Sequence, residues 1–221
     1  MLRSIVRGLA VLCLGGAVAC NGSSAPVAVP GPAVDLPLSK AKGTDSIVLA
    51  GGCFWGIQAV FQHVKGVTSA VSGYSGGSAQ TANYETVSEG SSGHAESVKV
   101  TYDPSQISLG QLLRIFFSVA HDPTQLNRQG PDSGTQYRSV IFYNSDEQKR
   151  IAEAYIDQLN RAKVFQGRIV TEVTGIHGFY PAEDYHQDYA TLHPNQPYIA
   201  INDLPKVEHL KQMFPAVYVT K

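Results

Sequence analysis

The apolar positions of this chain fall into short blocks whose period switches between two and 3.6. Ile47-Val48-Leu49-Ala50 is a continuous apolar run, the mark of a short buried strand. Ile57, Val60, Phe61 and Val64 follow at i, i+3, i+4, i+7, one face of a helix. Val67 to Tyr74 reads as a strand, broken by a flexible loop at Gly73-Tyr74-Ser75-Gly76-Gly77. Alternation returns from Gly93 to Tyr102, with Ser97, Lys99 and Thr101 on one face and Glu96, Val98, Val100 and Tyr102 on the other. Asp103-Pro104 ends that strand. Ser108-x-x-Gln111 is a capping box before a helix that buries Leu109, Leu112, Leu113 and Phe116. A long polar loop from His121 to Gly134 leads to a strand at Val140–Tyr143. Ser145-x-x-Gln148 opens a helix with Ile151, Ala154, Tyr155 and Leu159 inward. Ile169 to Val173 gives a further strand, and Val207, Leu210 and Phe214 stand at the spacing of a final helix. Strands interspersed with helices in this order predict an α+β single domain, a mixed central sheet flanked by helices.

The first 44 residues do not share this pattern. Arg3 and Arg7 precede an apolar run centred on Leu9 to Leu14, followed by Gly15-Gly16-Ala17-Val18-Ala19-Cys20. The run is too short to span a bilayer. It ends in the small-residue site Ala17-x-Ala19, so residues 1–19 read as a secretory signal peptide. Export places the mature chain in the periplasm or cell envelope, an oxidising compartment. Cys20 resembles the acylated cysteine of a bacterial lipobox, although Ala17 stands where leucine is usual. The alternative is ordinary cleavage that leaves Cys20 free. Residues 20–44, with Pro26, Pro30, Pro32 and Pro37, read as a flexible tether outside the fold, suited to a lipid-anchored domain held off a membrane. Residues 45–221 form the domain proper.

The 221 residues are enough for one sizeable core. A formal net charge of −1 and the lack of any basic run argue against a nucleic-acid partner, and a monomer is expected.

The candidate chemistry centres on Gly51-Gly52-Cys53-Phe54-Trp55-Gly56, where the first strand turns into the first helix. The glycines permit a tight turn. A helix start offers unpaired N–H groups and the positive end of the macrodipole, both of which favour a thiolate. The thiolate is the nucleophilic form of cysteine, and Phe54 and Trp55 add an aromatic wall. Taken alone, the same residues also suit a buried core cysteine after a turn. Glu96 falls on the apolar side of its strand, where a carboxylate is costly unless paired or protonated. Burial raises a carboxyl pKa, and a carboxyl protonated near neutrality is what a general acid requires. A salt-bridged or hydrated glutamate at a strand end is the plainer reading. Tyr84 alone reads as a half-buried strand tyrosine. The stretch from Phe179 to Tyr189 is rich in acids and contains His186, but His186 and His193 do not share a helix face and no metal site is expected. No cofactor is expected either.

The hexapeptide resembles the signature of the A-type peptide-methionine sulfoxide reductases, whose nucleophile is the cysteine of Gly-Cys-Phe-Trp-Gly. Gly93-His94-Ala95-Glu96 and Gly130-Pro131-Asp132-Ser133-Gly134-Thr135-Gln136-Tyr137 resemble two further motifs, and the likeness spans roughly Ile47 to Phe214. The resemblance implies a two-layer plait and reduction of methionine S-sulfoxide in oxidised proteins or peptides. It implies Cys53 as nucleophile, Glu96 as proton donor and Tyr84 and Tyr137 on the substrate oxygen. Phe54 and Trp55 would hold the ε-methyl, with Asp132 lining the pocket and His186 near it. The product on Cys53 is a sulfenic acid, which condenses readily with a second thiol.

Two departures matter. Many relatives carry resolving cysteines near the C-terminus, whereas this chain has only Cys13, Cys20 and Cys53. Cys13 leaves with the signal peptide, and an acylated Cys20 is a poor resolver. The expected reductant is therefore external, a thioredoxin-like protein or a small thiol. Gln58 stands where relatives commonly have an acid; its side chain is expected to face away from Cys53 with little effect. Two other readings remain. A thiol peroxidase also passes through sulfenic acid but needs no methyl pocket, and a binding domain that captures oxidised peptides would not need Cys53.

Overall fold

The computed structural model describes residues 26–221. The expected signal peptide, Cys13 and the lipidation site at Cys20 lie outside the described residues.

Among the described residues, eight strands and six α-helices follow one another. β1 (Asp45–Ala50), α1 (Phe54–Gln62), β2 (Val67–Ser75), α2 (Tyr84–Ser88) and β3 (Ala95–Tyr102) make the first half. α3 (Leu109–Ile115), β4 (Arg128–Gln129), β5 (Asp132–Ser133), β6 (Val140–Tyr143) and α4 (Asp146–Arg161) follow. β7 (Glu172–Gly175), β8 (Tyr180–Pro181), α5 (Tyr189–Leu192) and α6 (Leu204–Met213) complete the chain. Six strands form one mixed sheet in the order β7-β6-β1-β3-β2-β8, and β4 and β5 pair in a small separate hairpin.

β3 lies antiparallel between β1 and β2, so β1 and β2 run parallel with α1 crossing between them. Parallel strands need such a crossover. α4 makes the equivalent connection between the parallel neighbours β6 and β7. Side chains alternate across the sheet as the pleat requires. Ile47 and Leu49 join the main core with α1, α3 and α4, while Val48 and Ala50 face the other side with Val140 and Phe142, covered by Ile176 and Phe179. The fold is α+β, with its large core on the helical face of the sheet.

The two expected caps form. Ser108 and Gln111 make a full capping box, and Ser145 accepts from the Gln148 N–H. Four boundaries differ from the sequence reading. β2 continues through Gly73 and Tyr74 to Ser75, because β8 pairs there; a Cβ on Gly73 would meet the Tyr180 carbonyl oxygen at 2.4 Å. Tyr84 opens a short helix capped by Asn83 rather than lying in a strand. β7 begins at Glu172, not Ile169, because the Ile169 and Val170 N–H groups are taken by Asn160 Oδ1 and the Pro123 carbonyl. α1 ends at Gln62, and Val64 stays buried beyond it in a single bridge with Tyr218.

The segment expected as a tether outside the fold is docked from Val27 to Asp35. Val29 is 2% exposed and belongs to the main core. The Val29 carbonyl accepts from Arg114 Nε at 3.1 Å, and the Pro30 carbonyl from the Tyr155 hydroxyl at 2.6 Å. Gln158 bonds both the Gly31 carbonyl and the Ala33 N–H. Asp35 accepts from Ser108 Oγ and from the Gly110 N–H, at the start of α3. A proline-rich segment lacks the donors for a strand, but its carbonyls can still accept from side chains. Composition therefore gave no sign of this docking.

Candidate active site

Cys53 occupies the N-cap of α1, immediately after the first strand. The turn is tight. Gly52 has φ +101°, and a Cβ there would meet Gln129 Cγ at 2.6 Å, so only glycine fits. The Phe54 N–H, an unpaired donor of the first helical turn, donates to Glu96 Oε2 at 3.1 Å. This bond brings β3 and the helix mouth together and sets the Glu96 carboxyl beside the nucleophile. Glu96 is 3% exposed, and desolvation lifts its pKa to about 8 against the single backbone bond that favours the charged form. It is held mostly protonated at neutral pH, as its place on the apolar face of the strand predicts.

The expectation of a thiolate at rest is not met. Cys53 is 8% exposed, and its pKa is raised well above the ordinary thiol value. Desolvation is the main cause, followed by the negative fields of Glu96 and Asp203. The Trp55 N–H bond to the sulfur and the Lys206 charge act the other way and do not prevail. A helix start favours an anion only where solvent or positive charge helps; here burial removes the solvent and two carboxyl groups add to the opposition.

Around the sulfur stands an aromatic shell. Phe54 packs on Tyr74 and on His186, at centroid distances of 5.9 and 5.1 Å. Trp55 donates from Nε1 to His186 Nδ1 at 3.2 Å, which places the His186 proton on Nε2. His186 is buried and its pKa is lowered, chiefly by desolvation, so the ring is neutral. Its Nε2 has no partner among the described residues. Tyr84 lies 4.5 Å from the His186 ring by centroids. Glu183 places Tyr84 by accepting from its N–H at 2.9 Å, and it also accepts from the Tyr74 hydroxyl at 2.8 Å. Tyr84 and the half-buried Tyr137 both feel the charges of Cys53 and Glu96, and desolvation raises both phenol pKa values, so they are donors at any ordinary pH. Asp132, on β5 of the small hairpin, accepts from the Tyr198 hydroxyl. Every residue singled out from the described part of the sequence thus converges on one place.

Four residues of this place were not anticipated. Tyr189 stacks on Trp55 at 4.0 Å and 13°, and Tyr198 meets the same ring edge-on at 6.1 Å. Asp203, fully buried, pairs with Lys206 at 3.1 Å against the first turn of α1. All four come from the last 33 residues, where irregular turns break the periodicity that would have pointed inward. The one available signal was the cluster of tyrosines in an otherwise polar stretch.

Comparison with known proteins identifies the family. Residues 45–217 match the family model described as "Peptide methionine sulfoxide reductase". A relative from Mesorhizobium japonicum, "Peptide methionine sulfoxide reductase MsrA 2", is 62% identical over 82% of this chain and 93% of its own length. A Synechocystis relative of the same description is 54% identical over 84% and 88% of the two chains. Among solved structures, "Methionine sulfoxide reductase A of Corynebacterium diphtheriae" superposes with a TM-score of 0.61 at 35% identity, covering 80% of this chain and 89% of that one. The chain belongs to the MsrA family of peptide methionine sulfoxide reductases.

Proposed function

We propose that this peptide-methionine (S)-S-oxide reductase works by attack of the Cys53 sulfur on the sulfoxide sulfur, with Glu96 protonating the oxygen. The observation that carries the reading is the carboxyl of Glu96, buried, protonated at neutrality and bonded to the N–H next to Cys53. Sulfoxide oxygen leaves only once protonated. As Glu96 gives up its proton it becomes the acceptor that the Cys53 thiol needs, so one carboxyl serves both steps. The balance closes: thiol plus sulfoxide gives a Cys53 sulfenic acid plus the thioether. Tyr84 and Tyr137 orient the oxygen as neutral donors, and Phe54, Trp55 and His186 hold the methyl group. Asp132 keeps Tyr198 in place at the rim.

Regeneration falls to an external thiol, because Cys53 is the single cysteine among the described residues. One reductant thiol displaces water from the sulfenic acid to give a mixed disulfide. A second releases Cys53, leaving an oxidised small thiol or thioredoxin-like protein. The arginines and apolar run before Cys20 support export by a signal peptide, with repair of oxidised proteins in the cell envelope and an anchor at Cys20.

The test is turnover of resolved S and R sulfoxide peptides by wild type and Cys53→Ser. Reduction of the S epimer by wild type alone is expected. Retained activity in Cys53→Ser, or turnover of peroxide in preference to sulfoxide, would sink the reading.

A further inference from the structure

Trp55 is held between elements that have no reason of their own to stay there. Tyr189 begins the one-turn helix α5, and His186 ends a single 3-10 turn. Segments this short do not form without outside support. The support comes from α1, the helix that carries Cys53 at its start. Gln58 is 2% exposed, and each of its polar atoms is engaged. Nε2 donates to the Ala70 carbonyl and to Gln187 Oε1, both at 3.0 Å, and Oε1 accepts from the Asp188 N–H at 2.9 Å.

Gln187 completes the arrangement. Its Oε1 also accepts from the Ser72 N–H, and its Nε2 donates to the Ser72 and Ala182 carbonyls, each at 3.0 Å. The side-chain amide therefore occupies the edge of β2 as a peptide group of a further strand would. Asp188 has φ +56°, a left-handed conformation that a non-glycine residue adopts only when its surroundings impose it. Gln58 holds its N–H, and Gln62, one turn further along α1, donates to its side chain.

We infer that Gln58 is a positioning residue: through Gln187 and Asp188 it holds His186 and Tyr189 against Trp55 and so shapes the pocket for the substrate methyl group. An acid at this position could accept from Asp188 but, when ionised, could donate to neither Ala70 nor Gln187. The inference rests on the proposed reading of the aromatic shell as that pocket.

Trp55 is the only tryptophan in the chain, so its emission reports the wall directly. In the full chain, Gln58→Met should shift that emission to the red and raise its quenching by acrylamide. It should also raise KM for an S-sulfoxide peptide about tenfold while kcat at saturation stays within about threefold. Gln187→Met should give the same signature, and the double variant should add little to either, because the two amides act through one link. If Gln58→Met does not fold, Gln58→Glu takes its place with the same expected direction. Unchanged emission in a folded variant, or fully additive effects, overturns the link. A shifted emission with unchanged KM upholds the link and instead removes the wall from substrate binding.

Discussion

Glu96 accepts the Phe54 N–H at 3.1 Å, so a carboxyl buried in the sheet reaches the first turn of the helix that begins at the nucleophile. The single backbone donor lowers its pKa less than desolvation raises it, and the balance falls at about 8. Activity that needs the protonated acid should fall as pH rises through that value. Glu96→Gln keeps an acceptor for the Phe54 N–H but has no proton to give. Its kcat should drop by about 10²- to 10³-fold and lose this alkaline limb, read from kcat against pH with an S-sulfoxide peptide.

The same group ties stability to pH. The folded pKa of Glu96, about 8, lies above the carboxyl value of the unfolded chain, so the native state binds more protons between the two. The contribution of Glu96 is most favourable below the unfolded value and is lost as pH rises towards 8. Glu96→Gln removes that loss. Its Tm should match wild type near pH 4 and exceed it by several degrees at pH 9; a gap independent of pH would contradict the assignment.

Asp203 is a second carboxyl acting against ionisation of Cys53, buried itself and paired with the partly exposed Lys206. Asp203→Asn removes the negative field and leaves the ammonium. The Cys53 thiol should then ionise at lower pH. Alkylation by iodoacetamide at pH 8 should become several-fold faster than in wild type, with Tm followed alongside to show that the gain does not come from unfolding.

Gly56 lies where this pair touches α1. A Cβ there would come within 2.2 Å of Asp203 Oδ1 and 2.8 Å of Lys206 Nζ. In an open helix Gly→Ala stabilises by up to ~1 kcal/mol. Here the clash falls on the buried Asp203 carboxyl and its Lys206 partner, so Gly56→Ala should lower Tm and slow turnover. A rise in Tm would show that the pair moves freely.

Val29 tests the docked N-terminal segment. It is 2% exposed in the main core, and truncating it to alanine should cost about 2 kcal/mol, as for other core deletions. In a chain of this size that is a fall in Tm of about 4–8 °C. A free tether would show no change on Val29→Ala.

The sequence by itself determined the elements and the chemical cast. Period-2 alternation put Glu96 on the buried face of its strand, and the glycines with the apolar run set Cys53 at a helix start. These readings depend on neighbours a few residues away, and local periodicity carries such information. Only the tertiary structure decided the protonation of Cys53. Burial of the sulfur under the rest of the fold is the main cause, and the carboxyl groups of Glu96 and Asp203, 43 and 150 residues further along the chain, add to it; together these outweigh the helix start. It also decided the fate of residues 27–35 and the role of Gln58. Backbone carbonyls and side-chain amides take whatever partner the fold brings near, and their residue types do not say which one that will be.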